Sequence, residues 1–169
     1  MTTRRLLTTT ALMLLLGPAA MAQTPAPATH SVRLLTPETA QRIVQAALQA
    51  CRAGGYQVAV AVVDRGGVAQ AMLRDRFAGP HTPDVAVNKA WTAVSFRTDT
   101  TELARATQPG QASSGLRGVP RFTAVGGGIV VQAGGSVIGA VGVSGAPSGD
   151  ADEACAKAGV KAVQDELEM

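Results

Sequence analysis

Aromatic residues and histidines are scarce in this chain of 169 residues. Five aromatic and two histidine side chains are present, and 15 scattered basic residues stand against 12 acidic ones. A protein that stacks nucleotide bases needs aromatic side chains interleaved with a basic stripe. The sequence therefore predicts no nucleic-acid partner. Two histidines far apart in the chain also fail to supply the close three or four ligands of a zinc site.

The motifs of several common enzyme classes are missing as well. No Gly-Lys-Ser/Thr follows the glycine clusters, and Gly126-x-Gly128 lacks a third glycine at the Rossmann interval. The chain also has no Gly-x-Ser-x-Gly elbow, as in the α/β-hydrolases. The glycine clusters are therefore interpreted as tight turns.

The N-terminal residues follow the three-part pattern of a secretory signal. Arg4 and Arg5 precede an apolar run at 11–16, and a small-x-small triplet ends at Ala22. The run is too short to span a bilayer, which takes about 20 residues. We predict a signal peptide at 1–22 and a periplasmic or secreted protein, with no membrane attachment after cleavage.

Two further segments complete the predicted organisation. Residues 23–35 are rich in proline and alanine and are typical of a linker, in which His30 is expected to be solvated. Residues 36–169 are long enough to form one folded domain.

Export bears on the two cysteines, Cys51 and Cys155. Cysteine pairs tend to be joined in oxidising compartments, and each of these falls on the apolar stripe of a predicted helix. They are therefore a disulfide candidate, with two unreactive buried thiols as the alternative. No Cys-x-x-Cys spacing supports a redox role.

Hydrophobic periodicity predicts the element order α-β-β-α-α-β-β-β-α. Thr36 and Pro37 mark the start of the first helix, and Thr82 is predicted to cap the second. The predicted strands are 56–63, 68–74, 122–125, 129–132 and 136–143. The first helix has an apolar face of Ala40, Ile43, Val44, Ala47, Leu48 and Cys51, and the last has a stripe of Ala151, Ala154, Cys155, Ala158 and Ala162.

Hairpins rather than βαβ crossovers connect these strands. We therefore predict an α/β (α+β) fold, in which one antiparallel sheet of about five strands is flanked by helices. Glycines within the strands, such as Gly139, Gly142 and Gly145, would let another backbone or a flat ligand come close.

Four ordered motifs make the chain resemble a known family. They are AVVDRGG from position 61, NKAWTA from 88, IGAVGVSG from 138 and DADEACAKAG from 150. Together they resemble the GlcG/HbpS family of small haem-binding or haem-interacting domains, which is similar to the C-terminal domain of PduO-type proteins. The resemblance implies a sheet flanked by helices, homo-oligomers that are often octamers, and haem or a related tetrapyrrole as ligand.

Most of the candidate ligand-binding groups lie within residues 74–89. His81 is expected at the mouth of the second helix, where an imidazole could ligate haem iron. Arg74, Arg76 and Arg117 could hold the propionates, because guanidinium groups suit carboxylates. A loop histidine bonded to the backbone is the alternative for His81.

Three function classes remain open on this sequence. The preferred one is a non-enzymatic, exported haem-binding protein that buffers, senses or carries haem. The second is an enzyme of small anionic metabolites, with His81 and Lys89 as acid and base groups. Lys89 and Asn88 could instead form a polar site or a plain salt bridge on a helix face. The third is an oligomeric scaffold whose glycine-rich strands serve subunit packing.

Overall fold

The computed structural model describes residues 26–168, so the predicted signal peptide at 1–22 lies outside the described residues. The chain divides into two units, residues 1–31 and 32–169. The described part of the first unit, 26–31, contains no helix or strand. In the second unit, Leu35 is buried in the hydrophobic core, although the predicted linker extends to that residue.

The second unit is an antiparallel sheet flanked by helices, which confirms the predicted fold class. The described residues form four strands in the order β2-β1-β4-β3, rather than about five. No helix in 26–168 is long and apolar enough to cross a membrane. The elements are α1 (Pro37–Ala53), β1 (Ala59–Asp64), β2 (Ala69–Arg74), α2 (Thr82–Phe96), α3 (Thr100–Ala106), a 3-10 turn (Ser114–Gly118), β3 (Gly128–Ala133), β4 (Ser136–Ser144), α4 (Gly149–Lys161) and α5 (Gln164–Leu167).

The predicted strand at 122–125 is wrong. The Phe122 ring packs edge-on against Phe96, with centroids 5.1 Å apart. The backbone N–H of Thr123 donates to the Thr92 hydroxyl at 2.9 Å. Contacts with the side chains of α2 therefore replace the ladder of a neighbouring strand.

In the middle of β1 the two faces of the sheet carry side chains of different size, although Val63 near the end of the strand packs with Ala90 and Ala93 of α2. Along β1, Val60 and Val62 point to one face, and Ala59 and Ala61 point to the other, since strand side chains alternate. The valine face, defined by Val60 and Val62, packs against α1 and α4. The alanine face, defined by Ala59 and Ala61, packs against α2.

On the alanine face, α2 lies against the backbone of β4. A Cβ added at Gly142 would lie 2.0 Å from the carbonyl oxygen of Ala86 and 2.8 Å from the amide nitrogen of Ala90. A Cβ at Gly139 would lie 2.5 Å from the carbonyl oxygen of Val63. Protein backbone, rather than a flat ligand, therefore uses the close approach that these two glycines permit.

On the valine face, a disulfide joins α1 to α4. Cys51 and Cys155 are bonded with their Cα atoms 5.4 Å apart, and the bond closes a separation of 104 residues. The start of α1 is as predicted, because the Thr36 hydroxyl accepts from the N–H of Thr39. All six residues of its predicted apolar face are buried, which confirms that face.

The predicted stripe of α4 is wrong except for Cys155. The buried residues of this helix are Asp152, Cys155, Ala156 and Gly159. Gly159 decides the orientation, because a Cβ there would lie 2.7 Å from the carbonyl oxygen of Ile43 in α1. Since alanines lie all around α4, hydrophobicity alone does not select the face that packs.

Candidate functional site

A cleft of about 610 Å³ lies beside the end of β4, between the N-terminal ends of α2 and α4. Its volume falls within the range of roughly 300–1,000 Å³ that is typical of small-molecule and cofactor sites. One wall consists of residues at the start of α2, and the other consists of residues 144–149. Four other cavities of the folded unit are smaller, at about 300–380 Å³.

His81 lies on the lining of this cleft and is exposed. It occupies the N-cap position of α2, so the predicted cap at Thr82 is wrong by one residue. The Thr82 hydroxyl donates to the carbonyl oxygen of Gly79 at 2.8 Å instead of capping the helix. A Cβ at Gly79 would lie 2.7 Å from Cε1 of His81, so this glycine provides the space for the imidazole ring.

Apolar side chains are exposed around the same cleft. Phe77 is 79% exposed and Val125 is 50% exposed, and both line it together with Val85. Large apolar groups that cluster at a concave surface are typical of a ligand site. Gln57 also lines the cleft, and its Oε1 atom is buried without a hydrogen-bond partner in the described structure. The accessible groups of the cleft are therefore apolar side chains and an imidazole.

A buried ion pair also lines the cleft. Lys89 on α2 is 2% exposed, and its Nζ donates to Oδ2 of Asp152 on α4 at 2.7 Å. The same nitrogen donates to the carbonyl oxygen of Val143 at 2.9 Å. The other carboxylate oxygen of Asp152 accepts from the N–H of Ala146 at 2.9 Å. Burial raises the pKa of the Asp152 carboxyl, and the neighbouring Lys89 opposes that shift.

The three arginines predicted for propionate binding do not line the cleft. Arg74, at the end of β2, donates to the carbonyl oxygen of Ala78 at 2.6 Å, in the segment that follows the strand. Arg76 is exposed. Arg117 donates to the carbonyl oxygens of Thr107 and Ala104, at 2.7 and 3.1 Å.

A local physical reason explains where Arg117 lies. Its two acceptors are the carbonyl groups of the last turn of α3 and of the residue that follows it. The last carbonyls of a helix lack partners within the helix, and positive charge is favoured near them. Arg117 therefore caps the C-terminal end of α3 by donating to its last carbonyl groups.

Asn88 does not take part in a polar site with Lys89. Its Oδ1 accepts from Nε of Arg121 at 3.3 Å, and the Arg121 guanidinium lies 4.9 Å from the ring centroid of Trp91. Of the residues predicted to bind haem, only His81 lines the cleft. Lys89, which the acid-base hypothesis paired with His81, lines it as well.

Asp152 and Gln57 are the site residues that the sequence interpretation missed. Asp152 had a detectable signal, because it stands three residues before Cys155 and therefore on the same side of the helix. Burying Cys155 against α1 brings Asp152 inside as well. Gln57 had no such signal, since nothing in its local sequence distinguishes it.

A family model and solved structures both relate this chain to HbpS-like proteins. A sequence model described as "Haem degrading protein HbpS-like" matches residues 35–161. A double mutant of Streptomyces reticuli HbpS is 39% identical, with a TM-score of 0.75, over 85% of this chain and 97% of that one. The structure of a PduOC:heme complex is 30% identical, with a TM-score of 0.73, over 77% of this chain and 95% of that one.

A protein of known sequence is similar over much of the same region. An uncharacterized 15.0 kDa protein from the dhaT-dhaS intergenic region of Citrobacter freundii is 36% identical over 69% of this chain and 83% of its own length. The family model covers most of the folded unit, and the structural matches reproduce its sheet and helices. This chain therefore belongs to the HbpS-like family.

Proposed function

We propose that this protein binds haem or a related tetrapyrrole in the cleft, with His81 as the iron ligand. The observation that carries the proposal is an exposed imidazole on an open cleft of about 610 Å³. Family membership and the similarity to the PduOC:heme complex support this ligand class.

The residues of the cleft fit such a ligand. His81 would hold the group through a ring nitrogen, since histidine is a common ligand of haem iron, and the iron would supply the metal chemistry of the site. The His81 ring lies beside Gly79, which has no side chain to displace it. Phe77 and Val125 would exclude water from an apolar macrocycle. Because the three candidate arginines lie elsewhere, no residue is assigned to the propionates.

Titration of the purified protein with hemin tests the proposal. We expect a one-to-one complex with a sharp Soret band for the wild type and loss of that band in His81→Ala. His30→Ala is the matched control, because His30 is the other histidine of the chain and lies in 26–31, before the first helix. The proposal is wrong if hemin binds only at many weak equivalents, or if His81→Ala binds as the wild type does.

The geometry favours binding over acid-base catalysis. His81 and Lys89 line the same cleft, as the acid-base alternative requires. However, the Lys89 nitrogen is engaged with Asp152 and with the Val143 carbonyl. A general base needs a free electron pair within reach of the substrate, and this lysine is instead committed to protein acceptors.

We also propose export to an oxidising compartment and assembly into homo-oligomers. The Cys51–Cys155 disulfide supports export, because such bonds persist where thiols are not kept reduced. Exposed apolar residues on and beside the edge strand β2, namely Val68, Met72 and Leu73, support assembly. Cell fractionation of the expressed chain tests the first expectation. Light scattering of the purified protein tests the second, and a monomer at all concentrations would contradict it.

A further inference from the structure

The Lys89–Asp152 ion pair joins the two helical layers of the fold. Lys89 belongs to α2, which packs on the alanine face, and Asp152 belongs to α4, which packs on the valine face. The pair passes Gly127, where an added Cβ would lie 2.7 Å from Cβ of Asp152 and 3.1 Å from Nζ of Lys89. The missing side chain of Gly127, whose φ is +114°, thus leaves space for the pair.

The same pair also connects the two walls of the cleft. Lys89 fixes α2, and His81 lies at the start of that helix, about two turns earlier at 3.6 residues per turn. Asp152 holds the N–H of Ala146, which lies in the opposite wall at 144–149. The Asp152 carboxylate therefore bonds both to the wall at 144–149 and, through Lys89, to α2, the helix that begins next to His81.

Stability alone does not explain a buried ion pair at this place. Removing two charges from water is costly, and replacing a buried pair with apolar residues of similar size is often neutral or stabilising. The neighbouring α2 residues that face the sheet, Ala86 and Ala90, are fully buried against it through apolar contacts. What an apolar replacement cannot supply is a directional bond to Ala146 and Val143.

We propose that Lys89 and Asp152 are positioning residues that set the separation of the two cleft walls and thereby place His81 relative to the ligand. This inference rests on the proposed haem-binding function for its ligand. The separation of the walls is a property of the protein without ligand and can be measured by itself.

The first experiment therefore uses the protein without haem. Amide hydrogen exchange is compared in the wild type, in the double variant Lys89→Met/Asp152→Leu and in Asp152→Asn. We expect exchange at 145–149 to become at least about tenfold faster in both variants, with β1 still protected, because local opening is released without global unfolding. Arg42→Gln/Glu166→Gln is the matched control, since that exposed ion pair joins α1 to α5. If the double variant does not fold, Asp152→Asn carries the comparison.

The second experiment titrates hemin into the folded variants. We expect affinity to fall by about tenfold or more, the scale found when groups that orient a metal ligand are removed. We also expect the spin-state signature of iron ligation to change. A merely structural pair would lower Tm and leave the spectrum of the folded protein unchanged.

The two experiments distinguish failure of the positioning inference from failure of the haem proposal. Wild-type exchange at 145–149 in the folded variants overturns the inference, and so does a wild-type hemin spectrum with wild-type affinity. If the wild type fails the His81 test but exchange at 145–149 still accelerates in the variants, the haem proposal fails and the positioning of the walls stands.

Discussion

The two faces of the sheet are packed by different means. On the valine face, side chains such as Val60 and Val62 interdigitate with α1 and α4, and a disulfide ties these helices together. On the alanine face, Gly142 brings the backbone of α2 into contact with β4. Bulky side chains can repack to accommodate a small helix movement, whereas two backbones in contact cannot. The helix that carries His81 and Lys89 is therefore held to the sheet by direct backbone contact.

Buried polar groups follow the same division. Thr82, Lys89 and Thr92 are buried polar residues of α2, whereas the buried residues of α1 are all apolar and α4 buries one charged residue, Asp152, which bonds to Lys89. Each of the three has a hydrogen-bond partner outside the helix. The largest hydrophobic cluster thus lies on the valine face, whereas α2 on the alanine face buries several polar groups in fixed positions.

Removing the disulfide is expected to have the largest effect. Cys51→Ala/Cys155→Ala should lower the free energy of unfolding by about 4 kcal/mol, because the bond closes a long loop in the unfolded chain. Urea unfolding measures this, and the reduced wild type should match the variant. A loss below about 1 kcal/mol would show that the valine face holds α1 and α4 without the bond.

Gly142→Ala should disrupt the packing of α2 against β4 on the alanine face. Its new Cβ would overlap the carbonyl oxygen of Ala86, so we expect a loss of about 3 kcal/mol in unfolding free energy from overpacking. Gly115→Ala is the control, because a Cβ at Gly115 meets nothing within 4 Å. Equal stability of the two variants would mean that α2 can move away from β4 freely.

Exchanging side chains between the faces tests the difference directly. Val60→Ala should cost about 2 kcal/mol by leaving a cavity, and Ala61→Val about 1–2 kcal/mol by overpacking. The double variant Val60→Ala/Ala61→Val keeps the composition of β1 and should not recover the loss. If it unfolds at the wild-type urea midpoint, the two faces are interchangeable.

The smallest expected effect is acid sensitivity at the Arg52–Asp75 pair, which connects α1 to the segment leading to the cleft. Two hydrogen bonds from the Arg52 guanidinium, at 2.7 and 2.9 Å, lower the pKa of the Asp75 carboxyl from 3.8 to about 2. The native state therefore binds this proton more weakly than the unfolded chain does. The stabilising contribution is complete above about pH 4 and is lost as pH falls toward about 2.

Asp75→Asn tests that contribution. Its Tm should fall less steeply than that of the wild type between about pH 4 and pH 2, because the titrating group is gone. Asp64→Asn is a control at another turn carboxylate, whose oxygen accepts only backbone N–H groups. Parallel curves for the wild type and Asp75→Asn would contradict the prediction.

Local patterns predicted much of this fold. The start and the buried face of α1 followed from Thr36 and from the three- and four-residue spacing of its apolar side chains. Both hairpins followed from turn residues between apolar runs, with Asp64 accepting from the N–H groups of Gly66 and Val68 in the first turn. These features depend on interactions between residues only a few positions apart, so a short segment of sequence is enough to predict them.

The candidate site was less predictable. His81 was identified from its place before a helix, and the structure puts it on the cleft. The arginines predicted for the propionates do not line the cleft, because Arg74 and Arg117 bond to backbone carbonyls that any sequence has. A guanidinium selects its partner by geometry, and charge alone does not reveal which acceptor is nearest.

The amino-acid sequence by itself determined the periodicity of the helices and strands, the turns and the family, because each depends on local spacing or on short motifs. Only the tertiary structure decided which side of the alanine-rich α4 is buried, and so decided that Asp152 meets Lys89 across 63 residues of chain. Alanine is compatible with either side, and the choice was made by backbone contact at Gly159 with α1. Packing between distant segments, rather than the local preference of any one segment, therefore places the Lys89–Asp152 pair in the lining of the cleft.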